Sequence, residues 1–309
     1  MPTNEKDITE KVLFDKEDVF ADIFNVLVFR GEQVVRPEDL VSDGSVSQLK
    51  IGKHIHVQER DVSKLWKKGN VRLSLLGIEN QTAQDKYMPL RIVGYDGAAY
   101  KAQVIQGKGA EARRAESAPV YPVVSLVLYF GRAKWTQPKS LLECMESNIP
   151  DGLRPFVSDY KINVVDVAWL EDDAVQQFRS DFRIVADYFM QMRKHKDEYA
   201  PSKENIRHVE EVLNFLKAAA GDTRFTDILE DLNFQEDMKK GAVTMCEVLD
   251  KVEQRGIEKG IEQGVQKGIQ KGIEQAIRAV ADAFTPEETA KRFGVSLDFV
   301  NSVLRIPQQ

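Results

Sequence analysis

The run VVSLVLYF, residues 123–130, is an apolar string interrupted only by Ser125. A strand with one wet face alternates polar and apolar residues, because successive side chains leave opposite faces of the sheet. A string without alternation has to be covered on both faces, which is the condition of an inner strand in a layered α/β protein. Extended back to Val120 the stretch includes Pro122, and it is far shorter than the ~20 residues a membrane-spanning helix needs. No membrane contact is expected.

The flanking segments fit such a layered order. KEDVFADIFNVLVF, residues 16–29, sets Val19, Phe20, Ile23, Phe24, Leu27 and Val28 at helical spacing. Asp22 and Asn25 fall off that stripe, and Gly31 ends the helix. Residues 32–53 predict no strand. HIHVQERDVSKLW and VRLSLLGIENQ read as strands around a Gly69-Asn70 turn, which makes 54–81 a hairpin. MPLRIVGYDGAAYKAQVIQ predicts a helix opened by Pro89, with Leu90, Ile92, Val93 and Tyr100 toward the sheet. A loop, GKGAEARRAESA, leads to the buried strand, and INVVDVAWL at 162–170 predicts another. Helix, hairpin, helix, buried strand is an α/β succession.

Helical patterns dominate from about residue 174. FRSDFRIVADYFMQMRKHKDEY is one, and NIRHVEEVLNFLKAAAG is a second, capped by Ser202 and stopped by Gly221. A repeat follows, GIEKGIEQGVQKGIQKGIEQAI, with Gly256, Gly260, Gly264, Gly268 and Gly272 each preceding Ile or Val. Each glycine costs an isolated helix about 1 kcal/mol relative to alanine. The four-residue period also outruns the helical turn, so the apolar stripe drifts by about 40° per repeat. Two readings stand side by side: an arm for homo-oligomer formation, in which glycine faces let helices approach, and a partly helical spacer. The closing TPEETAKRFGVSLDFVNSVL predicts two short helices, one started by Pro286 and one from Leu297, with Gly294 between them and Ser296 as second cap. Ala290, Gly294 and Val300 match the small contact, turn glycine and apolar closure of a helix-turn-helix. Asp298, Asn301 and Ser302 on the second helix suit phosphate poorly, so a small helical cap is favoured over contact with DNA.

Charge speaks against a basic coat that binds nucleic acid along its whole surface, though not against a local basic cleft: 43 Lys and Arg stand against 49 Asp and Glu, a net charge of −6. The N-terminal MPTNEKDITE has no apolar leader, and Cys144 and Cys246 form no pairing motif, so a cytoplasmic protein with two thiols is expected. Phosphate-loop, His-Glu-x-x-His, Cys-x-x-Cys and Gly-x-Ser-x-Gly signatures are all absent.

The hairpin carries the chemistry. With a turn centred near 69, Asp61 pairs with about residue 77, and residues 77, 79 and 81 then share its sheet face. Asp61 and Glu79 therefore converge. Two neighbouring carboxylates repel unless a proton or a cation lies between them, and a hard oxygen site suits Mg²⁺ or Mn²⁺. Gln81 adds an amide able to hold a water. Two acids on a hairpin are also common as a solvated acidic face, and geometry alone leaves that reading open.

The whole string, DV at 61–62, IENQ at 78–81, MPLRIVGYD and YPVVSLVLYFG, resembles the recombination-promoting nuclease (Rpn) family, also called YhgA-like transposases, within the PD-(D/E)xK nuclease superfamily. MCEVLDK, the Gly-Ile repeats and the closing helices are similar to the tails of such proteins. The resemblance implies a PD-(D/E)xK restriction-endonuclease-like α/β core followed by an all-helical C-terminal extension. Its divisions are a nuclease-like domain at 1–198, a helical region at 199–255, the repeat helix or spacer at 256–280 and the helix-turn-helix-like segment at 285–306. It further implies DNA as partner, Asp61 and Glu79 as ligands of Mg²⁺ or Mn²⁺, and the Asn80 carbonyl as a third ligand. Gln81 stands where the superfamily usually has lysine. Asp22 on the first helix is the acid that related nucleases bring to the cleft, and Arg91 and Tyr95, at i and i+4, are placed to position phosphate. The expected activity is endonucleolytic hydrolysis of DNA in recombination or transposition-like events. A nuclease-like module without turnover, serving in DNA or protein assembly, is the competing expectation.

Overall fold

The computed structural model describes residues 11–42, 47–51, 54–58, 61–68, 71–106, 120–145, 149–195, 199–231, 234, 236 and 243–305. The chain divides into two compact units, Met1–Val248 and Leu249–Gln309.

In the first unit, helix α1 (Glu17–Leu27) is followed by strands β1 (Leu40–Ser42), β2 (Ser47–Ile51), β3 (His54–Gln58), β4 (Val62–Lys68) and β5 (Val71–Gln81). Helix α2 (Met88–Gln106), β6 (Val123–Tyr129), the short α3 (Leu141–Met145) and β7 (Asn163–Asp166) complete the sheet region. Then come α4 (Asp172–Gln177), α5 (Phe182–Lys194), β8 (Asn205–Ile206), α6 (Val209–Ala220), α7 (Arg224–Leu229) and β9 (Val243–Thr244). Five strands form one sheet in the order β1-β4-β5-β6-β7. The β1-β4-β5 side is antiparallel, and β5, β6 and β7 run parallel.

The apolar string lies where its composition requires. β6 is flanked by β5 and β7, with Val123 and Leu126–Tyr129 all buried. On one face it meets α2 through Met88, Ile92 and Tyr95, joined by Tyr129, Trp135 and Ile162. An aromatic cluster covers the end of β6: Phe130 packs on Phe215 at 5.0 Å and on Phe189 at 5.1 Å, and Phe14 meets Phe215 edge-on at 4.9 Å.

Several expectations are corrected. Residues 32–53 do contain strands: β1 adds a short antiparallel edge to β4, and β2 pairs with β3 in a separate ribbon. The strand read through 54–66 is broken before Val62, so the hairpin is Val62–Gln81, while its Gly69-Asn70 turn lies outside the described residues. Asp22 and Asn25 are buried, because every residue of α1 from Val19 to Val26 is covered. Leu90 of α2 faces solvent, and Tyr100, partly exposed, reaches the sheet through its hydroxyl, which accepts the Val123 N–H at 3.1 Å; Met88, Ile92, Tyr95 and Ala99 provide the packed face. Ser202 caps no helix: Asn205–Ile206 pairs with Val243–Thr244, and α6 starts after His208. Gly221 does stop α6, in the left-handed conformation at φ 68°.

The second unit carries most of helix α8 (Met245–Ala279) and the pair α9 (Pro286–Phe293) and α10 (Leu297–Arg305). Thr285 and Glu288 form a reciprocal capping box at the start of α9, and Gly294 ends it at φ 64°. Ala290, Val300 and Val303 close on Ile277 as a small core. The repeat is helical throughout, and a Cβ placed on any of its five glycines would meet no atom within 4 Å. Ile257, Ile261, Val265 and Ile269 are all more than half exposed. Among the described residues no helix is long and apolar enough to cross a membrane.

Candidate metal centre

The β4–β5 ladder determines which side chains meet. Lys67 pairs with Arg72, but Trp66 pairs with Ser74, so a bulge puts one extra residue into β5. The register continues to Val62↔Ile78, which sets Asp61 opposite Glu79 rather than opposite residue 77. The expected register is thus shifted by two, an even step that preserves the shared face. Without the bulge the shift would be odd, and the two acids would point to opposite faces.

The ladder ends there, and the Asp61 carboxylate replaces the missing strand partner: its Oδ2 accepts the Asn80 backbone N–H at 2.7 Å. Oδ1 faces the Lys11 ammonium at 3.5 Å. Glu79 is 2% exposed. Its Oε1 accepts a hydrogen bond from the Arg91 guanidinium, and its Oε2 is buried with no partner among the described residues. Burial raises the Asp61 carboxyl above its ordinary range against the pull of the Asn80 N–H and Lys11. Burial, then the Asp61 charge, pushes Glu79 to about 8 although Arg91 opposes the change. Desolvation outweighs the two cations beside the pair, so each carboxyl holds its proton more tightly than a free one.

Arg91 is the hub of the surroundings. It reaches Glu79, Asp85 Oδ2 at 3.2 Å and the Tyr95 hydroxyl at 3.5 Å. Burial disfavours its charge, and Glu79 and Tyr95 more than offset that. Burial and the Glu79 charge raise the Tyr95 hydroxyl. Gln81 follows the alternation to the side of Glu79, and its Nε2 donates to the Asn80 carbonyl at 2.7 Å. Asp61, Glu79, Asn80, Gln81, Arg91 and Tyr95 therefore form one connected set.

Asp22 has other partners. Its Oδ2 accepts the N–H groups of Arg179 and Ser180, each at 2.7 Å, and the Ser180 hydroxyl at 2.8 Å, tying α1 to the start of α5. Lys11 and Asp85 were not anticipated. Lys11 is fifty positions from Asp61 and leaves no local trace. Asp85 does leave one: an acid just before a helix, where its Oδ1 accepts the Tyr87 N–H at 2.8 Å.

Among the described residues no group of three or more His, Cys, Asp or Glu is arranged to hold a metal. A magnesium-type ion needs less, since it keeps several waters and takes one or two carboxylates. The unpartnered Glu79 Oε2, the raised carboxyl groups and the nearby Asn80 carbonyl fit that demand.

The fold and site define a mixed α/β protein with a helical extension and a pair of acids at the end of the β4–β5 ladder, Glu79 buried and Asp61 partly so. Residues 50–219, more than half of the chain, match the family model described as "Putative transposase, YhgA-like". The chain belongs to this YhgA-like transposase family. No curated protein and no solved structure matches it.

Proposed function

We propose that the protein is a divalent-metal-dependent DNA endonuclease of the recombination-promoting type, with a PD-(D/E)xK-like core. The observation carrying this reading is the pairing of partly buried Asp61 with buried Glu79, both raised in pKa and with Glu79 Oε2 unpartnered among the described residues. Family membership supports transposase-like action on DNA. Asp61, Glu79 and the Asn80 carbonyl would hold Mg²⁺ or Mn²⁺. Such an ion, when bound, supplies Lewis-acid charge and lowers the pKa of a coordinated water.

The chain's own groups do the rest. Asp61 is locked by the Asn80 N–H, so its Oδ1, faced by Lys11, keeps one direction. Gln81 can orient a water, but as a neutral amide it cannot stabilise phosphorane charge as lysine does. Arg91, about one-third exposed and anchored by Asp85 and Tyr95, presents guanidinium N–H groups to a phosphate oxygen. In the hydrolysis water oxygen bonds to phosphorus, one P–O ester bond breaks, and the departing oxygen takes up a proton. The exposed Ile257–Ile269 stripe of α8 would serve self-association.

One observation favours a second reading, a nuclease-like DNA-binding module without turnover: Gln81 is uncharged and donates to a neighbouring carbonyl. Plasmid nicking by purified protein with Mg²⁺ or Mn²⁺, against the same reaction with chelator, separates the two. Metal-dependent nicks support the nuclease, and intact plasmid with retained DNA binding supports the module.

A further inference from the structure

We propose that Arg91 is a movable internal counter-ion: it holds Glu79 in the cation-free protein and passes to Asp85 when a divalent cation takes that carboxylate. The inference rests on the metal reading above and assigns the site a latch.

Each oxygen group of the candidate site already has an internal donor. Lys11 faces Asp61 Oδ1 at 3.5 Å, Arg91 contacts Glu79 Oε1, and the Gln81 amide donates to the Asn80 carbonyl at 2.7 Å. Arg91 differs from the other two. It carries full charge on the most buried acid, and its two terminal nitrogens serve two carboxylates, one Glu79 and the other Asp85.

Asp85 is a prepared second seat. Its Oδ1 is fixed by the Tyr87 N–H at 2.8 Å, and its Oδ2 faces Arg91. A guanidinium that leaves Glu79 is therefore not stranded, because Asp85 and the Tyr95 hydroxyl still receive it. A divalent cation on Glu79 would repel the arginine strongly in this buried setting. Cation binding and arginine departure are then linked, and the linkage is reciprocal. The nitrogen released from Glu79 keeps its 3.5 Å contact with the Tyr95 hydroxyl and turns its second N–H toward phosphate, so the two events prepare the same site.

The test is Mn²⁺ calorimetry on the full-length protein, with folding checked by circular dichroism and at a pH above the Glu79 range. Arg91→Met, which keeps the stem and removes the charge, is expected to bind Mn²⁺ about tenfold more tightly than wild type. Asp85→Asn, which removes the second seat at a partly exposed position, is expected to bind several-fold more weakly. Equal or weaker binding by Arg91→Met, or unchanged binding by Asp85→Asn, overturns the latch while leaving the metal site standing. No Mn²⁺ binding by any of the three proteins overturns the metal reading together with the latch.

Discussion

Asp61 accepts the backbone N–H of Asn80 at 2.7 Å, the residue immediately after Glu79, so one carboxylate is fixed by the strand that carries the other. The bond lies where the β4–β5 ladder runs out. It converts the end of a hairpin into a rigid frame for two acids, and the consequences are measurable.

The first concerns pH. Glu79 is raised from 4.5 to about 8 by burial and by Asp61. An acid raised on folding stabilises the protein below its unfolded value, and the contribution is lost as pH climbs through the folded one. The cation-free protein should therefore lose stability between about pH 4.5 and about 8. The loss from Glu79 is on the order of 5 kcal/mol, and Glu79→Gln should remove that share of it. Thermal melts in chelator would show the wild-type midpoint falling across this window and the variant's falling less, since of the pair only the raised Asp61 carboxyl remains; parallel curves would contradict the assignment.

Asp22 should behave as a structural clamp. It satisfies three donors from Arg179 and Ser180 near the start of α5. Asp22→Ala leaves those part-buried donors without their acceptor, which costs about 2–4 kcal/mol in urea denaturation. A cost below ~0.5 kcal/mol, the scale of a surface change, would refute the clamp.

Lys64 tests the value of a buried charge. Its side chain is fully covered, with the ammonium 3.0 Å from Asp15 and 3.3 Å from Glu17, both of which remain largely exposed. Replacing it by an apolar chain of similar volume leaves no buried charge unpaired. Lys64→Met is expected within about 1 kcal/mol of wild type, and Lys64→Ala, which opens a cavity, about 2–4 kcal/mol less stable. Equal costs for both would mean that the ion pair, not the packed stem, carries the contribution.

The glycine repeat separates its two readings by opposite signs. Gly260 and Gly264 sit in α8 with open space where a Cβ would be, so Ala at both should add about 1 kcal/mol of helix stability per site in the monomer. If the glycine faces bring two helices together, the same change weakens association. Light scattering should show a smaller mass for the double variant and for a chain lacking residues 251–309. Increased helicity with unchanged mass would identify a spacer.

Much of this arrangement was legible in the sequence, for reasons that differ by element. The unbroken apolar run made β6 readable as an inner strand. The period of two made Asp61 and Glu79 readable as a pair, although the bulge at Trp66/Lys67, which sets the true register, has no local signal. β1 was hidden because only Leu40 of its three residues is buried, too little for any pattern. The burial of Asp22 was not legible, because its partners lie about 157 positions away and cover a helix face that reads as polar. Asp85, by contrast, was within reach: an acid at a helix entrance six positions before Arg91 is an identifiable partner.

The central claim is that Asp61 and Glu79 together hold a divalent ion that cuts DNA. Nicking of supercoiled plasmid with Mg²⁺, wild type beside Asp61→Asn at equal concentration, tests it most directly. Loss of the group that orients a catalytic ion should lower the rate at least about 100-fold with folding intact. Equal nicking by the two proteins would contradict the account.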